Sequence, residues 1–206
     1  MKFVVLGATG GTGIEIVKRA IERGHSVTAF VRSGQRLAPF APNVDIIKGS
    51  PLNAADLTRV ISGHDAVLSA FGPRDPRSRE QLVAPFARSL TAAMAESDVS
   101  RLIILSVAFL FRDSVLPPTY PFGQLLFKHH VADCAAMETI VQESGLNWTI
   151  VRPPQLTNKT RSGKSRVRIG HLPFMGFTAS RANVGDFMVQ AMEQQSYSRQ
   201  IVGFSD

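Results

Sequence analysis

The chain of 206 residues holds a single cysteine, Cys134, a single tryptophan and only two tyrosines, Tyr120 and Tyr197. One thiol excludes an intrachain disulfide, and a chain this long buries roughly 70% of its unfolded surface, so it needs neither a disulfide nor a metal to hold it together. A reducing compartment is the simple reading, no metal is expected, and the expected location is the cytoplasm. No apolar run approaches the roughly 20 residues that span a bilayer, and no membrane partner is expected. The run Val4 to Leu6 is too short for a secretory signal, and Gly10-Gly11 breaks any longer apolar stretch there.

What is present is ordinary globular composition: 44% hydrophobic and 19% charged residues exclude a disordered chain. Lysine and arginine number 23 against 16 acids, a net charge of +7 that favours anionic partners. These basic residues lie scattered in short loops without interleaved aromatics, so nucleic acid is not the expected anion. Phosphorylated cofactors and carboxylated or phosphorylated substrates remain.

Short β-branched runs alternate with amphipathic stretches, which predicts a parallel sheet covered on both faces. Strands are expected at 2–6, 26–31, 44–48, 65–70, 101–107 and 147–152, with shorter ones near 166–169 and 200–203. Helices are expected at 12–23, 53–61, 79–97, 129–144 and 182–194, with Asn53 as an N-cap and Gly24 and Gly145 as stops. Pro153-Pro154 should halt the sixth strand. The expected fold is α/β: a doubly wound parallel sheet of the Rossmann type, residues 1–206 forming one dinucleotide-binding domain whose substrate cleft comes from the C-terminal part.

Gly7-Ala8-Thr9-Gly10-Gly11-Thr12-Gly13 comes directly after the first strand and opens a helix. In that setting Gly7 permits a tight turn, Gly10 lets backbone approach a diphosphate, and Gly13 lets helix pack on strand. The helix N-terminus offers unpaired N–H groups to the anion, with Thr9, Gly11 and Thr12 in the same turn. The spacing is G-x-x-G-x-x-G, a departure from the commoner G-x-G-x-x-G. The second strand ends Phe30-Val31-Arg32, and no acid stands between Arg32 and Arg36. An acid there would take the ribose hydroxyls of NAD, whereas arginine suits a 2′-phosphate, so the expected cofactor is NADPH.

With GATGGTG, the arginine after strand two, SAFGPR at 69–74, LSVAFL at 105–110 and ESGLNWTIVRPP at 143–154, the chain resembles the atypical short-chain dehydrogenase/reductases. Within them it is most similar to the biliverdin-IXβ reductase/flavin reductase group. The resemblance implies that Ser50, Pro51, Phe71, Gly72 and Arg74 border the cofactor. It also implies that Ser106, Val107 and Pro153-Pro154 surround the nicotinamide, with Val107, Phe109 and Gln155 toward substrate. Three departures stand out: Ser50 replaces a common Asp, Val107 replaces a serine of the flavin-reductase group, and Gln155 replaces a histidine.

Typical members carry Tyr-x-x-x-Lys, in which lysine lowers the tyrosine pKa for proton transfer. The corresponding positions are His130 and Cys134, and Tyr120 has Gln124, not lysine, four residues on. The pair is absent. A simple ketone leaves a poorly stabilised alkoxide and needs a positioned acid, whereas a flavin, quinone or bilin spreads the incoming charge and can take its proton from water. The expected function is therefore NADPH-dependent reduction of such a conjugated small molecule by a monomer or homodimer. The alternative is a non-catalytic NADP sensor resembling the nitrogen-metabolite-repressor-like regulators. Ser106 is the candidate catalytic residue; His130 is either an acid or a surface histidine. Phe109, Phe111 and Phe122 either wall an acceptor or belong to the core, to which Trp148 is assigned. The basic run at 159–168 is either a solvated loop and edge strand or an anion-attracting flap over the substrate mouth.

Overall fold

The computed structural model describes residues 1–111 and 126–206. Among them, β1 (Lys2–Leu6), β2 (Ser26–Val31), β3 (Val44–Lys48), β4 (Ala66–Ser69), β5 (Arg101–Leu105) and β6 (Asn147–Arg152) join β8 (Arg166–Ile169) and β10 (Gln200–Ser205) in one sheet. Its order is β3-β2-β1-β4-β5-β6-β10-β8, and every neighbouring pair is parallel except β10 with β8. This is the doubly wound α/β arrangement, reversing direction between β1 and β4.

The helices are α1 (Gly11–Glu22), α2 (Ala54–Ile61), α3 (Val83–Glu96), α4 (Lys128–Glu143) and α5 (Arg181–Glu193). Alternation in β1 sends Phe3 and Val5 to the core beneath α1 and α5, and Val4 and Leu6 to the core beneath α2, α3 and α4. All four are fully buried, which is why the strand reads as an unbroken apolar run. Trp148 sits in the second of these cores.

The strand bounds match the β-branched runs closely, and Asn53 caps α2 by accepting from Asp56 N at 3.2 Å. Four features differ from expectation. Residues Gln35–Asn43 form a 3-10 helix, because Pro39 and Pro42 bar the regular helical ladder. β5 stops at Leu105 and passes into a 3-10 turn, Ala108–Leu110, although Ser106 N still donates to Val151 O at 2.8 Å. Beyond Pro153-Pro154 the chain resumes as β7 (Gln155–Thr157), which pairs in parallel with β9 (Thr178–Ser180) as a separate small sheet.

The fourth difference is the start of α3, at Val83 rather than 79. Its own N-cap, Leu82, offers no side-chain acceptor. The buried carboxylate of Asp133 on α4 does so instead, accepting from Val83 N at 2.8 Å and Ala84 N at 2.9 Å. A cap reaching in from another helix fixes both where α3 begins and how α4 lies against it. Asp133→Ala leaves two buried N–H groups unpaired and is expected to cost about 1–3 kcal/mol in urea unfolding. Arg59→Ala, which removes an exposed ion pair with Asp56, should change stability by no more than about 1 kcal/mol.

Candidate active site

The groove begins where β1 and β4 diverge. Gly7 has φ +74°, and a Cβ there would stand 2.6 Å from the Ala70 carbonyl; a Cβ on Gly13 would stand 2.1 Å from Gly7 O. Only hydrogen fits at either position, so the turn after β1 lies against the end of β4 and α1 starts directly on it. Gly10 N closes the turn on Gly7 O at 2.9 Å. The N-terminus of α1 has no side-chain cap and no acid in its first turn, which leaves its N–H groups open to an anion.

A cavity of about 690 Å³ runs along this turn. Gly7, Thr9, Gly10, Gly11 and Thr12 form its floor. Arg32 and Arg36 stand at one end, with Pro51, Phe71, Gly72 and Arg74 along the side and Ser106 and Val107 at the other end. Arg36 is drawn to the turn by donating from Nη1 to Thr9 O at 2.7 Å. Gly13 packs beneath the floor, as its contact with Gly7 requires. Ser50 is not among the residues that line the groove. It is solvent-exposed, its N–H donates to Asp56 and its hydroxyl accepts from Leu52 N at 3.4 Å, which turns it away while Pro51 faces in.

Pro153 and Pro154 stand next to the groove rather than along it. They line an adjoining cavity of about 630 Å³, with Phe109 and Gln155. Pro153 O accepts from Ala108 N at 3.0 Å, which seats the diproline beside the Ala108–Leu110 turn and beyond the groove. The remaining walls of this cavity are largely apolar: Phe127, Leu172, Met175 and Phe177. Phe111 is not a wall; it is buried, with the Arg152 guanidinium 4.6 Å from its ring centre. Tyr120, Phe122 and Gln124 lie outside the described residues.

The two cavities meet at Val107, His130, Leu156 and Arg181. His130 is thus half-buried at the junction, and Leu156 and Arg181 are residues that sequence reasoning missed. The signal for Arg181 was a serine N-cap, Ser180, opening a helix at the carboxyl edge of the sheet. None of the five basic residues between 159 and 168 lines either cavity. Arg161 pairs with Asp186 at 3.1 Å, Ser162 bonds Asn183 on α5, and Arg166 and Arg168 sit on the antiparallel edge strand β8. Of the two readings, this is the loop and edge strand, with the loop fastened to α5.

Burial pushes the His130 pKa down, with Asp133 opposing, so the imidazole is neutral near pH 7. Cys134 Sγ lies 3.8 Å from both His130 ring nitrogens. Burial, reinforced by Glu138 and Asp133, pushes its thiol up to about 12. Ser106 is buried, and its hydroxyl has no oxygen or nitrogen partner among the described residues. Its neighbour is the Cys134 thiol, whose hydrogen bond with Ser106 works against the burial; a thiol is a weak partner, which leaves the hydroxyl able to bond a ligand's polar group.

Groove, glycine floor, open helix end and arginine pair fit an extended phosphorylated dinucleotide. The family model for NAD(P)H-binding matches residues 7–195. The chain belongs to the NAD(P)H-binding family. Among its relatives, an uncharacterized chloroplastic protein of Arabidopsis thaliana is 29% identical over 98% of this chain and 75% of its own. The (4-alkanoyl-5-oxo-2,5-dihydrofuran-3-yl)methyl phosphate reductase of Streptomyces griseus is 28% identical over 80% of this chain, which spans 51% of that enzyme. The anaerobilin reductase ChuY of Escherichia coli O157:H7 superposes with a TM-score of 0.80 at 19% identity, covering 100% of this chain and 97% of that one, a likeness of fold. The expectation of an NAD(P)H-binding chain with a Rossmann-type fold is thereby borne out. No helix among the described residues is long and apolar enough to cross a membrane.

The electrostatics of Cys134 predict an inert thiol despite its place beside a cavity. Native protein should react with a disulfide reagent at about pH 8 at least about a hundredfold more slowly than denatured protein, because thiolate is the reactive form. Equal rates would contradict the burial.

Proposed function

We propose that the protein is an NADPH-dependent oxidoreductase that reduces flavins or similar conjugated acceptors such as quinones or bilins. The observation that carries this reading is the pair of confluent cavities, one floored by the glycine turn and one apolar, which meet at Val107, His130, Leu156 and Arg181 with Ser106 beside them on the glycine-turn side. NADPH bound in the groove would supply a hydride at its nicotinamide end.

The chain's own contributions depend on where its residues stand. Arg32 and Arg36 would take the 2′-phosphate, and the uncapped end of α1 the diphosphate. Ser106 would satisfy its hydroxyl on the nicotinamide carboxamide or on the acceptor. Phe109, Phe127 and Phe177 would hold a planar acceptor and exclude water from its face. Neither His130, neutral near pH 7, nor Cys134, with its raised pKa, is poised to deliver a proton rapidly. That supports an acceptor whose conjugation carries the incoming negative charge until water protonates it. The Streptomyces reductase, named for a phosphate-bearing substrate, and ChuY, named for a bilin, fit the same class of anionic, conjugated acceptor.

Cofactor choice gives the first test. Charge-assisted bonds to a phosphate contribute about 1.5–3 kcal/mol, so calorimetry should give NADPH a Kd at least about tenfold below that of NADH. Arg32→Asp should narrow or invert this preference. Equal constants for the two cofactors in the wild-type protein would contradict the assignment of Arg32 and Arg36.

Turnover gives the second. NADPH oxidation should proceed with FMN or a quinone and be slow or absent with simple ketones. The kcat for FMN should stay within about threefold between roughly pH 7 and 8.5, since His130 is already neutral there. A protonated His130 acting as acid would instead make the rate fall as pH rises through its lowered pKa, and His130→Gln would then lower the acidic limb. Tight NADPH binding with no turnover on any conjugated acceptor would favour the sensor.

A further inference from the structure

Arg181 opens α5 and stands over the glycine turn. A Cβ on Gly11 would lie 2.6 Å from Arg181 Cδ and 2.8 Å from its Nε. Gly11 occupies neither end of the turn nor its close contact with Gly7. What its missing side chain makes room for is the arginine stem. The placement is enforced from below, because α1 and α5 touch at backbone distance: a Cβ on Gly185 would meet Glu15 and Ile16 backbone at 2.9 Å. From the far side, Arg181 Nη1 donates to Asn158 Oδ1 at 2.7 Å and Leu156 O at 3.4 Å. These bonds use one nitrogen of the fork and leave Nε and Nη2 without a protein acceptor among the described residues. Arg181 borders both cavities.

We propose that Arg181 is a diphosphate-binding residue, a clasp that closes over the cofactor from the C-terminal side of the fold. This rests on the dinucleotide reading above. The turn and the α1 N-terminus offer neutral N–H donors, while the guanidinium adds a full charge and a fork shaped for phosphate oxygens. Arg32 and Arg36 stand at the other end of the groove and read the 2′-phosphate. The two sets of arginines thus separate cofactor choice from cofactor retention. Gly11 is coupled to Arg181, since any side chain at 11 displaces the stem.

The test is direct titration of the folded protein, by calorimetry, with NADPH, NADH and adenosine 2′-monophosphate, which lacks a diphosphate. Arg181→Gln should weaken NADPH and NADH alike, by about tenfold or more, and leave adenosine 2′-monophosphate unchanged. Arg181→Lys should recover part of the loss. Gly11→Ala should weaken both dinucleotides in the wild-type background and add nothing in Arg181→Gln. Unchanged dinucleotide constants in Arg181→Gln overturn the clasp, as does a lowered Tm with no change in binding, which marks a structural tie to β7. A loss confined to the KM for FMN assigns the arginine to the acceptor and also overturns it. If Arg181→Gln does not fold, Arg181→Lys and Gly11→Ala decide the question by the same titrations. Failure of the wild-type protein to bind NADPH at all overturns the cofactor reading itself.

Discussion

Two hydrogen atoms, on Gly7 and Gly13, stand where any larger group would push β1, β4 and α1 apart. Because a Cβ at Gly7 would strike Ala70 and one at Gly13 would strike the Gly7 carbonyl, the reversal of strand order can bring the β1 turn and the β4 loop into contact. The groove is the space left outside that contact. Its floor is backbone, its N–H donors belong to the first turn of α1, and its sides are the loops after β2, β3, β4 and β5. The loops after β2, β4 and β5 are placed by strands buried on both faces, and β3, the half-exposed edge strand, is held by its pairing with β2, so the core sets the position of the site.

Buried polar groups then set the walls. Asp133 joins the start of α3 to α4. One turn of α4 on either side of it carries His130 toward the cavities and Glu138 toward Arg152, whose Nε donates to Glu138 Oε1 at 2.9 Å. Arg152 in turn covers Phe111, which anchors the chain after β5 where Ser106 and Val107 stand. On the other face Arg101 is buried and donates to Thr149 Oγ1 at 2.9 Å and Ser196 O at 2.8 Å. Burial lowers its pKa to about 10, still well above neutrality, so it holds the end of α5 as a cation. Leaving such a buried polar group without a partner is expected to cost about 1–3 kcal/mol, more than a surface pair contributes. The cavities are therefore walled by rigid parts of the molecule.

Much of this was legible in the residues. The runs KFVVL, SVTAFV and NWTIVR give their strands end for end, since buried parallel strands are apolar on both faces. Asn53 gave a cap, and the glycine turn with Arg32 gave one end of the groove. Three-residue strands such as β7 and β9 carry too little pattern to be seen, and the proline-bearing 3-10 helix that presents Arg36 has no helical period. Ser50, Pro153 and Pro154 were placed by resemblance; the structure sets Ser50 among local hydrogen bonds at the surface and the diproline in the wall of the adjoining cavity. Arg181 was marked only by the Ser180 cap before it; that it reaches the glycine turn depends on α5 lying beside α1, which no stretch of sequence states. Of the two readings open for the basic run at 159–168, the structure has the loop and edge strand: its charges are partly neutralised by α5, and its last part pairs with β10.

The chemistry that emerges is one of positioning. In the proposed reaction, with the Tyr-x-x-x-Lys pair absent and the nearby thiol and imidazole ill-suited as acids, the rate enhancement would come from holding donor and acceptor face to face in an apolar space. The most direct test is a crystal structure with NADP and FMN both bound. The account predicts the nicotinamide at the junction beside Val107 and His130, its carboxamide or the flavin within hydrogen-bond reach of Ser106 Oγ, and the flavin ring against Phe109 and Phe177. A nicotinamide end turned away from that junction, or a flavin bound outside the second cavity, would contradict it.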